Sequence, residues 1–171
     1  GLYIGDGSRF SDNNTVAFGE VATGMLFTLG SGSTLTTQFR DGGAAHTSSS
    51  WTSTGLTTTG IVKDTVLQFS IYGNNSASST SYWLDDTEYT LATRTWDIWL
   101  GMDRIGTNLN TAQLAAGNVD SFMIIGLGAA GANGTMAVDD FVYGNSLPPE
   151  PPPSGGNYWA PGVGGGGSGT W

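Results

Sequence analysis

Alternation with a period of two constrains this chain more than any other feature. In "DTVLQFSIYG", Leu67, Phe69 and Ile71 fall on one side, and Gln68, Ser70 and Tyr72 on the other. "TGMLFTLG" repeats the pattern with Met25, Phe27 and Leu29, and "STLTTQFRDG" with Leu35, Thr37 and Phe39. "RTWDIWLGM" sets Trp96, Ile98 and Leu100 against Asp97 and Trp99. Successive side chains of a strand point to opposite faces, so these runs make strands with one buried face. β-Branched and aromatic residues fill the runs, and Gly, Asn and Ser separate them, as in antiparallel sheets. "VDSFMIIGLG" is apolar on both faces, which predicts a central strand. "GTMAVDDFVYG" reads as the last strand, ending at Tyr143-Gly144. One stretch departs from the pattern: in "NLNTAQLAAGN", Asn110 or Thr111 would cap a short helix that Gly117 ends.

The expected fold is therefore all-β, a two-sheet antiparallel jelly-roll sandwich of about ten strands. A closed barrel is the second reading. This domain spans residues 1–145. A Pro-rich linker, 146–156, follows, and its prolines favour an extended polyproline stretch that cannot join a ladder. Residues 157–171 form a Gly-rich tail whose aromatic anchors are Tyr158, Trp159 and Trp171.

Charge narrows the range of functions. Five Lys and Arg face fourteen Asp and Glu, for a net charge of -9, and charged residues are only 11% of the chain. Such a surface repels phosphates, which argues against a nucleic-acid partner and against anionic lipid. No run approaches the roughly 18 consecutive apolar residues of a membrane-spanning helix, so no membrane insertion is expected. A Thr/Ser/Gly/Asn coat with one lysine, Lys63, resembles that of an exported protein, secreted or displayed at a cell surface. There are no cysteines, and a domain of this length folds without disulfides. Gly1 opens the chain without a basic region or an apolar run, which reads as a mature or excised fragment of a longer precursor. Three sequons occur, at Asn13, Asn74 and Asn133.

The closing strands carry a resemblance. "VDSFMIIGLGAAGANGTMAVDDFVYGN" is similar to the end of concanavalin-A-like and laminin-G-like jelly rolls of bacterial surface proteins. "STSYWLDDTEYTL" resembles the hairpin of that fold with an aromatic and acidic element. The fold hosts lectins, glycosidases and inert spacers, so the likeness implies architecture before function. The tail, "NYWAPGVGGGGSGTW", resembles the stretch that begins autotransporter-type passenger strand repeats of bacteria.

These residues bear on several chemistries. A glycosidase of this fold would carry a Glu-x-Asp-x-Glu strand and two facing carboxylates. The nearest run is "LDDTE", with Asp86 and Glu88, which lacks the first Glu and reads better as a solvated hairpin. His46, the one histidine, has no partner for a triad or a zinc site. No enzymatic activity is expected. Adjacent Asp139 and Asp140 would point to opposite faces of a strand, leaving one inward. The resemblance implies a structural Ca²⁺ held there, with Asp6 in "YIGDGS" contributing, and oxygen ligands suit that ion. Trp83 beside Asp85, and Trp99 on the face of Asp97, would form an exposed platform for extracellular glycans, as in a carbohydrate-binding module.

The tail gives the leading reading. Ordering each residue costs about 1 to 2 kcal/mol, and residues 147–171 hold too few apolar groups to offset that by themselves. A neighbouring subunit would supply the missing contacts. The chain is therefore expected to be a non-enzymatic structural subunit of a bacterial surface or extracellular fibre, polymerising with copies of itself head to tail.

Overall fold

A computed structural model describes residues 1–6, 20–29, 35–43, 45, 50–53, 64–112, 119–126 and 137–150. Its described residues form ten strands and no α-helix. The strands are β1 (Leu2–Gly5), β2 (Val21–Leu29), β3 (Leu35–Asp41), β4 (Ser50–Ser53) and β5 (Phe69–Asn74), followed by β6 (Thr80–Leu84), β7 (Thr87–Leu91), β8 (Thr95–Leu100), β9 (Asp103–Asn110) and β10 (Ser121–Ile124). Every ladder is antiparallel. One sheet runs β10-β1-β2-β3-β4, a second β5-β8-β9, and β6-β7 stand as a separate hairpin.

Opposed residues in an antiparallel ladder share a face. Ile124 opposes Leu2, Leu2 opposes Met25, and Met25 opposes Phe39, so one apolar row crosses four strands of the five-stranded sheet. Met25 and Phe39 pack on Trp96 and Ile98 of β8, with Phe27, Phe69, Ile71, Ile105 and Leu109 around them. Phe39 meets Trp96 edge-on at 6.0 Å between centroids, the arrangement that aromatic quadrupoles favour. Alternation thus places the expected faces of β2, β3, β5 and β8 toward one core. On the opposite face of the large sheet, Arg40 lies over the Trp51 ring at 4.3 Å and near the Tyr3 ring at 5.9 Å. Gly24 leaves them room: a Cβ there would meet Tyr3 Cδ1 at 3.2 Å and Arg40 Cγ at 3.3 Å.

The hairpin turn is legible in its residues. Leu84 opposes Thr87, leaving Asp85 and Asp86 as a two-residue loop with φ of 49° and 57°. Positive φ at both positions gives the twist that suits a hairpin, and Asp tolerates it better than most residues. This hairpin covers the far side of β8: Tyr82 and Leu91 pack with Trp99, joined by Tyr72, Leu84, Tyr89 and Leu147. The strand β8 is consequently buried on both faces.

Three expectations are corrected. "VDSFMIIGLG" supplies an edge strand, β10, whose described ladder is with β1 alone. Residues 137–144 of "GTMAVDDFVYG" form no strand. Asp139 Oδ1 accepts the Asp140 N–H at 2.9 Å and Asp140 has φ of 50°, a local bond and backbone that compete with a ladder. Trp99 is only 3% exposed, because the β6–β7 hairpin lies over it. Asn110 ends β9, and the rest of the expected helix, 113–118, lies outside the described residues, as do His46, Asn13, Asn133 and the tail anchors Tyr158, Trp159 and Trp171. Asn74 is 5% exposed and its amide donates to Ser78 O and Ala92 O at 2.8 and 3.0 Å. Its side chain organises a loop and offers no accessible nitrogen for a glycan.

Candidate functional site

The most polar interior point is Asp97, which is fully buried. The β8–β9 ladder pairs Trp96 with Leu109 and Ile98 with Gly106, so Asp97 alone opposes Thr107 and Asn108 in a β-bulge. Asn108 takes φ of 46°, and its N–H donates to Asp97 Oδ1 at 2.7 Å. The Tyr82 hydroxyl donates to Asp97 Oδ2 at 2.7 Å, and Arg104 Nη2 donates to the same oxygen. Trp99 Nε1 in turn donates to the Tyr82 hydroxyl at 2.8 Å. Arg104 also lies 5.2 Å from the Tyr89 ring centroid, and Tyr82 stacks between Tyr72 and Tyr89. A buried carboxylate needs this kind of compensation. With no exposure, Asp97 cannot meet a substrate; it ties β8, β9 and the hairpin together.

Burial, and then the bonded Asp97 carboxylate, push the Tyr82 hydroxyl far above the ordinary tyrosine range. An unfolded tyrosine loses its proton near pH 10, whereas folded Tyr82 keeps it. The unfolded state then binds fewer protons, and stability falls as pH rises above about 10. Following tyrosinate absorbance during alkaline titration, the Tyr82 share of the six tyrosines should appear only with the unfolding transition. All six titrating while circular dichroism still reports native sheet would contradict this.

A second feature faces solvent. Among the described residues, eight large apolar side chains are exposed, and six of them are Phe122, Ile124, Val138, Phe141, Val142 and Tyr143. The first two belong to β10; the others follow it along the chain. Phe122 stacks on Phe141 at 4.1 Å, and the Tyr143 hydroxyl donates to Val119 O. Phe122 and Ile124 share the face of Leu2 and Met25, the face that packs on β8 further along the sheet. The second sheet has three strands against five, and at β10 this apolar face stays open, with Phe122 43% and Ile124 37% exposed. Exposed apolar side chains gathered together mark a contact surface, and the Phe122–Phe141 stack is such a grouping.

The root of the tail is a third feature. Leu147 packs against the Tyr82, Leu91 and Trp99 cluster, and Trp83 donates its N–H to Pro148 O at 3.0 Å. The Pro-rich stretch thus starts from a point fastened on β6.

The residues expected to bind sugar are not gathered. Trp83 opposes Glu88 on the outer side of the hairpin, Asp85 sits in its turn, and Trp99 lies beneath its inner side. Asp86 occupies the turn and Glu88 the strand, so they do not line one strand face as a carboxylate pair. Asp139 and Asp140 are exposed outside any strand, and the Asp6 N–H bonds to Glu20 O after β1. Among the described residues no group of three or more acidic, histidine or cysteine side chains is placed to hold a metal ion. No helix among them is long and apolar enough to cross a membrane. Sequence reasoning missed Asp97 as an interior residue. Parity sets Asp97 on the polar face of β8, and nothing in the local sequence marks that face as covered.

Comparison with protein families, with curated proteins and with solved structures finds no match for this chain.

Proposed function

We propose that the chain is a non-enzymatic, exported structural subunit with a two-sheet jelly-roll body, which assembles head to tail with copies of itself. The tail of one subunit docks on the next. The fastened tail root carries this reading. Leu147 and Pro148 hold the start of the linker against the hairpin, so the tail departs from a set position on the body. Five prolines lie between 148 and 153, and polyproline geometry extends such a stretch by roughly 20 Å. A polyproline conformation there would carry the residues beyond it away from the hairpin, toward a neighbour.

Charge supports the same division of labour. All fourteen carboxylates lie within residues 1–150, and residues 151–171 contain no charged side chain. Two bodies repel each other through their net charge; a neutral aromatic tail does not. Contacts of tail on body are heterologous and propagate into filaments where the rotation does not close.

The test compares residues 1–171 with residues 1–150, which retain every described strand and apolar cluster. Sedimentation velocity and negative-stain microscopy should show elongated assemblies for the longer chain and monomers for the shorter. Equal assembly of both, or monomers of both at any concentration reached, would overturn the reading.

A further inference from the structure

The geometry points to the open edge of β10, with Phe122 and Ile124 at its centre, as the surface that accepts residues 157–171 of a second copy as an added strand. This inference rests on the head-to-tail reading above and names its receiving site.

The backbone argument comes first. The Ile125 N–H donates to Gly1 O at 2.8 Å, and Tyr3 opposes Met123. Along a strand, N–H and C=O groups alternate between the two edges. Ser121, Met123 and Ile125 therefore turn toward β1, while Phe122 and Ile124 turn their N–H and C=O groups outward. Among the described residues no strand pairs with that edge. An unpaired edge accepts a further strand through main-chain bonds, and side-chain pockets add selectivity.

The side chains match the backbone. Phe122 and Ile124 stand on the core-facing side of the large sheet yet remain exposed, and Phe141 extends the patch by stacking on Phe122. Asp120, Asp139 and Asp140 flank it. An occupant must thus be apolar and must bring no negative charge. The body of a second copy fails that test. Residues 157–171 meet it, with Trp159, Val163 and Trp171 on one strand face and Tyr158 on the other, glycines that permit close approach of backbone to backbone, and no carboxylate side chain. Fully burying a large apolar side chain contributes about 1.5–3 kcal/mol, which offsets the ordering of the one or two residues around each anchor at about 1–2 kcal/mol each; main-chain bonds to the edge hold the glycines between them.

Two measurements test the site. In the first, the double variant Phe122→Ser/Ile124→Ser of residues 1–171, tail intact, is examined by sedimentation velocity; both positions are exposed, so the fold should persist by circular dichroism. Assembly should be lost. A folded double variant that assembles as the parent does, while residues 1–150 remain monomeric, overturns the site and leaves the head-to-tail reading standing; assembly of residues 1–150 removes that reading itself. In the second, a synthetic peptide of residues 157–171 is added to residues 1–150 and amide hydrogen exchange is followed. The Phe122 and Ile124 amides should slow at least tenfold. Protection elsewhere with none at these two amides overturns the site. Protection of both amides in a strictly monomeric 1–171 chain identifies the chain's own tail as occupant and overturns the assignment to a second copy.

Discussion

Replacing Asp97 with alanine should lower the melting temperature by about 10 °C, the larger of two expected effects on the body. The substitution leaves the Tyr82 hydroxyl, the Asn108 N–H and the Arg104 guanidinium without the acceptor they share. Removing one partner of a buried ion pair costs about 3–5 kcal/mol; the Arg104 side chain is 21% exposed, so the lower end applies, and for a chain of this length each kcal/mol moves the midpoint by roughly 2–4 °C. Asp97→Asn keeps one oxygen acceptor and should fall between the parent and the alanine variant. Thermal denaturation by circular dichroism reads both. A midpoint within about 2 °C of the parent for Asp97→Ala would mean the network does not hold β8 to the hairpin.

The second effect concerns Gly42, where the two sheets meet. A Cβ at this position would lie 2.7 Å from Thr111 O and 2.7 Å from Ala112 O. Both obstacles are backbone, and backbone here is pinned: the Ala112 N–H donates to Ala22 O at 2.7 Å, and Asn110 Nδ2 donates to Asp41 Oδ1 at 3.4 Å. Gly42→Ala must push the end of β9 off the large sheet, at a cost of about 3 kcal/mol, the upper end for overpacking. Gly106 provides the control. Its added Cβ would meet Leu109 Cδ1 at 2.7 Å, the tip of a side chain that can change rotamer, so Gly106→Ala should cost less. Chemical denaturation that ranks Gly106→Ala as the more damaging substitution would contradict the account of this junction.

Alternation placed β2, β3, β5 and β8 because each presents an apolar row to one core, and a period of two is a local property of the residues. The solvated hairpin expected at "LDDTE" is present, but its turn falls at Asp85-Asp86, which takes Asp86 off the strand face expected to pair it with Glu88. What alternation could not see was a third layer. Parity put Asp97 and Trp99 on the polar face of β8, and that face would meet water in a two-layer fold; the β6–β7 hairpin covers it instead. Parity also took the two apolar faces of "VDSFMIIGLG" for a central strand. One of those faces, Met123, does pack with Tyr3, Val21 and Ala112. The other, Phe122 and Ile124, faces solvent at a sheet edge, and from sequence a strand buried on both faces cannot be told from one awaiting a partner.

The same ambiguity limited the site. Asp139 and Asp140 were read as strand residues with one carboxylate inward, whereas the Asp140 N–H bonds to the Asp139 carboxylate in a local turn and both are exposed. Fold-level likeness gave a ligand set that the described residues do not assemble. Residue-level features, namely neutral aromatic residues after a Pro-rich spacer, led to the tail, and the open edge proposed to receive it became visible only from the strand order.

Complementation tests the central claim most directly. Residues 1–150 carry the receiving edge and no tail; Phe122→Ser/Ile124→Ser in residues 1–171 carries the tail and a disabled edge. Each alone should sediment as a monomer, and an equimolar mixture should give a one-to-one heterodimer that grows no further. A mixture that stays monomeric while the parent chain forms fibres, or either component polymerising alone, would contradict the proposal that one subunit's tail pairs with the next subunit's β10.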